Sequence, residues 1–102
     1  MFANTTADRG TAVGHAALQA NTTGANNTAL GEGAMYGNTT GSNNIAVGQN
    51  AGYDLTTGSN NIDIGNTGVA AEANTIRIGV QGTQTKTYVA GIYGVAGTGN
   101  TV

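Results

Sequence analysis

The sequence predicts an all-β roll, built almost wholly from short parallel strands stacked as rungs and joined by tight turns. Three observations carry this expectation. A motif recurs at a fixed interval, small and turn-forming residues dominate, and charge is scarce. Asn21-Thr-Thr-Gly-Ala-Asn-Asn-Thr-Ala-Leu-Gly31 is followed by Asn38-Thr-Thr-Gly-Ser-Asn-Asn-Ile-Ala-Val-Gly48 and Leu55-Thr-Thr-Gly-Ser-Asn-Asn-Ile-Asp-Ile-Gly65, with a degenerate first copy over residues 4–14. Gly14, Gly31, Gly48 and Gly65 are each 17 residues apart, whereas Gly79 arrives after 14, so the chain holds about five rungs. Gly, Thr and Asn make up 48 of the 102 residues, and charged residues only 8%. Composition alone would read as disorder. Constant spacing argues for stacked repeats instead, since each rung then places like residues over like.

Each rung contains one clear strand, the three residues before its glycine. These are Thr11-Ala12-Val13, Thr28-Ala29-Leu30, Ile45-Ala46-Val47, Ile62-Asp63-Ile64 and Ile76-Arg77-Ile78. Neighbours in a strand point to opposite faces. One face therefore stacks Val13, Leu30, Val47, Ile64 and Ile78 with Thr11, Thr28, Ile45, Ile62 and Ile76. The other stacks Ala12, Ala29 and Ala46, then Asp63 and Arg77, and this last pair is expected to form a salt bridge. A second, weaker strand is expected near Ala34-Met35-Tyr36 and Ala51-Gly52-Tyr53. Seventeen residues accommodate two short strands and two turns, which predicts a flattened two-sided roll.

The turns follow the same logic. Glycine supplies positive φ without steric cost and asparagine is the next best residue there. The Asn pairs Asn26-Asn27, Asn43-Asn44 and Asn60-Asn61 fall in constant phase, and stacked asparagines form hydrogen-bond ladders. The first rung has Arg9-Gly10 in their place and is expected to act as a frayed cap. Absence of proline suits hydrogen-bonded strands throughout.

Such a rung is poor in bulky side chains. In residues 38–54 only Ile45, Val47 and Tyr53 are large and apolar. Alanine suits the narrow space between the two sides of the roll, which leaves the Val/Leu/Ile face needing a cover. The simplest cover is the same face of identical chains about a common axis, so a homotrimer is expected, with Val13, Leu30, Ile45, Val47, Ile62, Ile64, Ile76 and Ile78 packing it. Val47→Asp is then expected to abolish assembly and folding together, and Ser42→Ala to do little.

The motifs also carry a family resemblance. Asn44-Ile-Ala-Val-Gly48 and Asn61-Ile-Asp-Ile-Gly65 resemble the signature of trimeric autotransporter adhesin heads of the YadA type. That resemblance implies a left-handed parallel β-roll, usually with 14-residue rungs, in a homotrimer. The three extra residues of the longer rungs are most simply placed at the Thr-Thr-Gly turn. The full repeat is more closely similar to bacterial and phage tail-fibre-like proteins, together with Asn74-Thr-Ile-Arg-Ile-Gly79 and Thr83-Gln-Thr-Lys-Thr-Tyr-Val-Ala-Gly-Ile-Tyr-Gly94. In those proteins a self-cleaving chaperone domain commonly follows, which these 102 residues do not include. The resemblance spans roughly residues 4–95 and implies an extracellular place, on a bacterial cell surface or a virion.

After Gly79 the repeat stops. Residues 83–90 alternate as a final strand or hairpin, with Tyr88, Ile92 and Tyr93 expected to close the end of the roll, by crossing to a neighbouring chain or within their own. The expected division is a β-roll over 1–79, a terminal strand or neck over 80–95, and a flexible tail over 96–102. Met1-Phe2-Ala3 lacks the basic start and apolar run of a signal peptide and reads as the start of a fragment.

Chemistry is hard to find. Three basic residues, Arg9, Arg77 and Lys86, cannot build a phosphate-binding surface, so nucleic acid is not an expected partner. No apolar stretch reaches the ~20 residues of a membrane span, and no membrane contact is expected. There is no Cys, the only serines, Ser42 and Ser59, are equivalent turn positions, and His15 is the only His, so no nucleophile-and-base set is visible. Asp8, Glu32, Asp54, Asp63 and Glu72 show no spacing suited to acid–base work. Asp54 and Asp63 beside Asn-rich turns are the one option for calcium, and no cofactor or metal is expected. The Asn-x-Thr triplets at Asn4, Asn21, Asn26 and Asn38 match glycosylation acceptors, which means little in a bacterial or phage protein. The expectation is therefore not an enzyme but a rigid head or stalk segment of a surface fibre. The alternatives are a carbohydrate- or receptor-binding tip using Tyr36 and Tyr53, and ice binding through the repeated Thr pairs.

Overall fold

A computed structural model describes residues 6–91. They form five parallel strands, β1 (Thr11–Val13), β2 (Thr28–Leu30), β3 (Ile45–Val47), β4 (Ile62–Ile64) and β5 (Ile76–Ile78), in one sheet of order β1-β2-β3-β4-β5. The chain is a β-solenoid of about four turns, with no helix among the described residues. Thr11 pairs with Thr28, Thr28 with Ile45, Ile45 with Ile62 and Ile62 with Ile76, so like positions stack as the periodicity predicts. β-branched residues hold nine of the ten flanking positions in the five strands, a composition suited to a pleated, half-buried ribbon.

The interior is narrow and lined by small residues. Ala29 and Ala46 are fully buried from the strand side, and Ala17, Leu18, Ala34, Met35 and Ala51 face them from the other side. The other side is not a strand. Leu18, Met35 and Gly52 take positive φ (52°, 51° and 62°), and the segments around them are turns. Their N–H groups nevertheless donate from rung to rung, to the carbonyls of Ala34, Ala51 and Asn66 (2.9, 2.9 and 2.8 Å). A bulky residue in the left-handed region costs roughly 1–2 kcal/mol. Complete burial of Leu18 and Met35 offsets that cost.

In the third rung the large side chain changes place. Gly52 replaces Leu18 and Met35, and a Cβ there would press on Met35 Cγ, Ala46 Cβ and Leu55 Cδ1 at 3.1–3.2 Å. Leu55, buried completely where the earlier rungs carry Asn21 and Asn38, fills that space instead.

Glycine serves two purposes. Gly31 has φ of 138°, which excludes most side chains, and the carbonyl of Gly48 lies against it. Gly41, in the Thr-Thr-Gly turn, is needed for a different reason: its φ is not positive, but any Cβ would meet the backbone carbonyl of Gly58 in the next rung. Close stacking of rungs, not turn conformation, requires that glycine.

The shorter step is made elsewhere than the sequence suggests. Gly65 N–H donates to Val47 O, as Gly48 N–H donates to Leu30 O, so the two rungs still match at the strand glycine. Asp54 N–H then donates to Thr67 O, as Gly37 N–H donates to Tyr53 O. Five residues separate Gly48 from Tyr53, but only two separate Gly65 from Thr67. The three residues are lost directly after the strand, and the Thr-Thr-Gly turn keeps its length.

Residues 80–91 do not form the expected strand or hairpin. A single bridge joins Gln81 to Gln84, the amides of Thr83 and Gln84 donate to Val80 O in a turn, and this stretch is exposed throughout. With no paired strand beside it, alternation alone does not hold this segment extended. Tyr88 is 89% exposed and closes nothing within its own chain, while Ile92, Tyr93 and the tail lie outside the described residues.

Candidate functional site: the outward strand face and the tyrosine stack

Alternation along each strand puts every large aliphatic residue outside. Val13, Leu30, Ile45, Ile64, Ile76 and Ile78 are exposed, with Ile78 at 71%, while Val47 and Ile62 are half-buried. These side chains run as parallel columns down the sheet, and none of the eight belongs to the chain's own core. An open depression of about 550 Å³ continues the face past β5, lined among others by Ile76, Ile78, Val80 and Thr87.

The asparagines divide into two roles. Asn26, Asn43, Asn60 and Asn74 take φ of 57–63° at exposed corners, and Arg9 occupies the same conformation in the first rung. Their side chains make little of a ladder, apart from Asn60 Nδ2 donating to Asn74 Oδ1 (3.1 Å). The second asparagine of each pair makes the ladder. Asn27 Oδ1 accepts from Asn44 N–H, Asn44 Oδ1 from Asn61 N–H and Asn61 Oδ1 from Thr75 N–H (3.0, 2.9 and 3.1 Å). Their Nδ2 groups donate to the carbonyls of Gly41, Gly58 and Glu72. All three are fully buried, where an unpaired amide would be costly.

A second buried ladder was not anticipated from the sequence. Asn38 Nδ2 donates to Asn21 Oδ1 (2.9 Å) and to Gly41 O (3.0 Å), and Asn21 Nδ2 to Gly24 O (2.9 Å). Its signal was the first residue of the Asn-Thr-Thr-Gly motif, in phase at 21 and 38. Leu55 ends this ladder, and Asn38 Oδ1 is left buried without a hydrogen bond. Hydroxyls add a third column. Thr22 Oγ1 donates to Thr39 O and Thr39 Oγ1 to Thr56 O, while Ser42 Oγ accepts from Ala25 N–H and Ser59 Oγ from Ser42 N–H.

The expected salt bridge between Asp63 and Arg77 does not form. Arg77 turns to Glu72, donating to both carboxylate oxygens at 2.9–3.0 Å. That hydrogen-bonded pair holds the Glu72 carboxyl below its usual range, against some opposing desolvation, and raises Arg77 further. Asp63 stands where the earlier rungs have Ala29 and Ala46, fully buried, with neither carboxylate oxygen hydrogen-bonded. Burial chiefly, and then the charge of Glu72, push its pKa up to about 6 against the counter-pull of Arg77. Register brings Arg77 beside Asp63 along the ladder. The wetter Glu72 draws the guanidinium because pairing there costs less desolvation.

Tyr36 and Tyr53 stack with ring centroids 5.0 Å apart and planes 7° from parallel. They stand on the turn side, across the Ala/Met core from the strands. An open depression of about 590 Å³ borders the stack, lined by both rings, Gly37, Asp54, Thr56, Gly68, Val69 and Ala70. Elsewhere the possible reactive groups form no larger set: His15 and Glu32 are exposed at equivalent positions of adjacent rungs, and among the described residues no three His, Cys, Asp or Glu side chains converge as a metal site would require. Comparison with known proteins finds no matching family model, no matching curated protein and no matching solved structure.

Proposed function

We propose that the chain is a structural segment of an extracellular trimeric fibre or adhesin, a left-handed roll that serves as a rigid head or stalk for surface attachment. The observation that supports this reading most is the outward strand face. It carries a large aliphatic residue in all five rungs, with threonine as the only polar type at Thr11 and Thr28, repeats at rung spacing, and carries no charged side chain at any of its ten strand positions. Exposed apolar stripes of that continuity mark interaction surfaces. A periodic stripe is matched in register by copies of itself, so two further chains are the cover that fits. The role is mechanical. Buried Asn ladders tie each rung to the next, and the shared core would make local opening of one chain expensive for all three. Placement on a bacterial surface or a virion tail fibre follows from the same reading.

Sedimentation equilibrium tests it. A species of three times the 10.0 kDa chain mass is expected at micromolar concentration. A stably folded species at one chain mass contradicts the proposal.

A further inference from the structure

We infer that the depression beside the Tyr36–Tyr53 stack is a binding site for a single pyranose ring, seated on the free face of Tyr53. The two rings repeat at about the spacing of adjacent strands, and the column then stops. By hydrogen-bond register the fourth rung offers Thr67 in Tyr53's place, because the three-residue shortening has just occurred. Gly68, Val69 and Ala70 wall the space where a third ring would stand, and Tyr53 is left 39% exposed. A ring-shaped, partly apolar ligand therefore continues the stack.

The rim identifies the ligand class. The exposed Asp54 carboxylate lies in the lining, its backbone fixed by the N–H bond to Thr67 O (2.9 Å), and Thr56 lines it too, its Oγ1 accepting from Ala71 N–H (3.2 Å). An aromatic guest would leave that carboxylate unused. A quaternary ammonium guest calls for rings set at angles around it, whereas these two are parallel and present one flat face. A sugar ring uses both features, laying its C–H face on the tyrosine and directing hydroxyls to the carboxylate. The volume of about 590 Å³ lies within the ordinary range of small-ligand pockets. The site is complete within one chain and stands apart from the outward strand face, so it does not depend on trimer formation.

Saturation-transfer NMR of the full chain with a panel of methyl pyranosides tests this, with tetramethylammonium as competitor. At least one pyranoside is expected to receive saturation on the protons of one ring face. Tyr53→Phe should retain binding, Tyr53→Ala should weaken it by about 10-fold, and Asp54→Asn should weaken it less. Ala70→Tyr, which fills the depression while leaving both native rings in place, should abolish binding with unchanged far-UV circular dichroism. The inference is overturned if no pyranoside binds the wild-type chain, if binding survives Ala70→Tyr in a folded protein, or if tetramethylammonium displaces the sugar while depending on Asp54.

Discussion

The first three rungs and the fourth solve the same packing problem differently. Where 17 residues separate the strands, alanine fills the strand side of the interior, Leu18, Met35 and then Leu55 beside Gly52 fill the turn side, and asparagine ladders close the corners. The 14-residue step drops the turn after the strand glycine, places Asp63 where alanine stood, and brings Gly68 against that carboxylate. A Cβ at Gly68 would meet Asp63 Oδ2 at 2.9 Å and Leu55 at 3.1–3.2 Å, so this rung has exchanged alanine contacts for a carboxylate and a leucine. The regular rungs are held by repetition. The irregular one is where buried charge, exposed ring faces and open depressions collect.

Substitutions separate the two regimes, and the largest effect is expected in the regular part. Gly41→Val sets a branched side chain against the Gly58 carbonyl and should abolish folding, read as loss of the thermal transition. Asn44→Ala comes next. It leaves the Asn61 N–H and the Gly58 carbonyl unpaired in a buried site, at a cost of about 2–5 kcal/mol in urea unfolding. A change within 0.5 kcal/mol would show that the ladder contributes only geometry.

The fourth rung should respond in the opposite sense. Asp63→Ala restores the alanine column and removes an unpartnered buried carboxylate, and is expected to stabilise the protein at pH 7, read as a higher urea midpoint. The same group sets a pH dependence. Its folded pKa of about 6 lies above the ordinary aspartate value of 3.8, so the folded state holds this proton more tightly than the unfolded chain. Stability is then highest near pH 4, falls as the pH rises towards 6 and stays lower above it. Glu72, whose folded pKa is lowered, works the other way, losing stability as the pH falls through its own range. Melts at pH 4.5 and 7 should show the higher midpoint at 4.5, and Asp63→Ala should remove or reverse that difference. The smallest effect is expected from Ser42→Ala, which unpairs Ala25 N–H at a partly buried corner and should cost about 1 kcal/mol. The hydroxyl column gives it more weight than a bare turn position.

Much of this was legible because repetition amplifies weak signals. A three-residue strand such as Thr28–Leu30 carries no convincing period by itself, but five in phase fix both the strand and its faces. The buried alanines and outward aliphatics follow from that alternation. The turn side was not legible. Ala34-Met35-Tyr36 has a strand-like composition, and nothing local announces that Met35 adopts φ of 51°. Only tertiary burial stabilises that conformation. Nor could spacing distinguish the corner asparagines, which need positive φ, from their neighbours, which bond between rungs. The partner of Arg77 was missed for a related reason: register placed Asp63 beside it, but Glu72, at a site the Thr-Thr-Gly phase assigns to glycine, offers both oxygens at lower desolvation cost.

The central proposal is that the outward aliphatic columns are buried between chains, so that folding and association are one process. Thermal unfolding midpoints across a hundred-fold range of protein concentration test this most directly, with Val47→Asp alongside. A midpoint that climbs with concentration, and a variant with no cooperative transition, are the results expected by mass action. A midpoint independent of concentration, or a Val47→Asp chain that melts like the wild type, would contradict it.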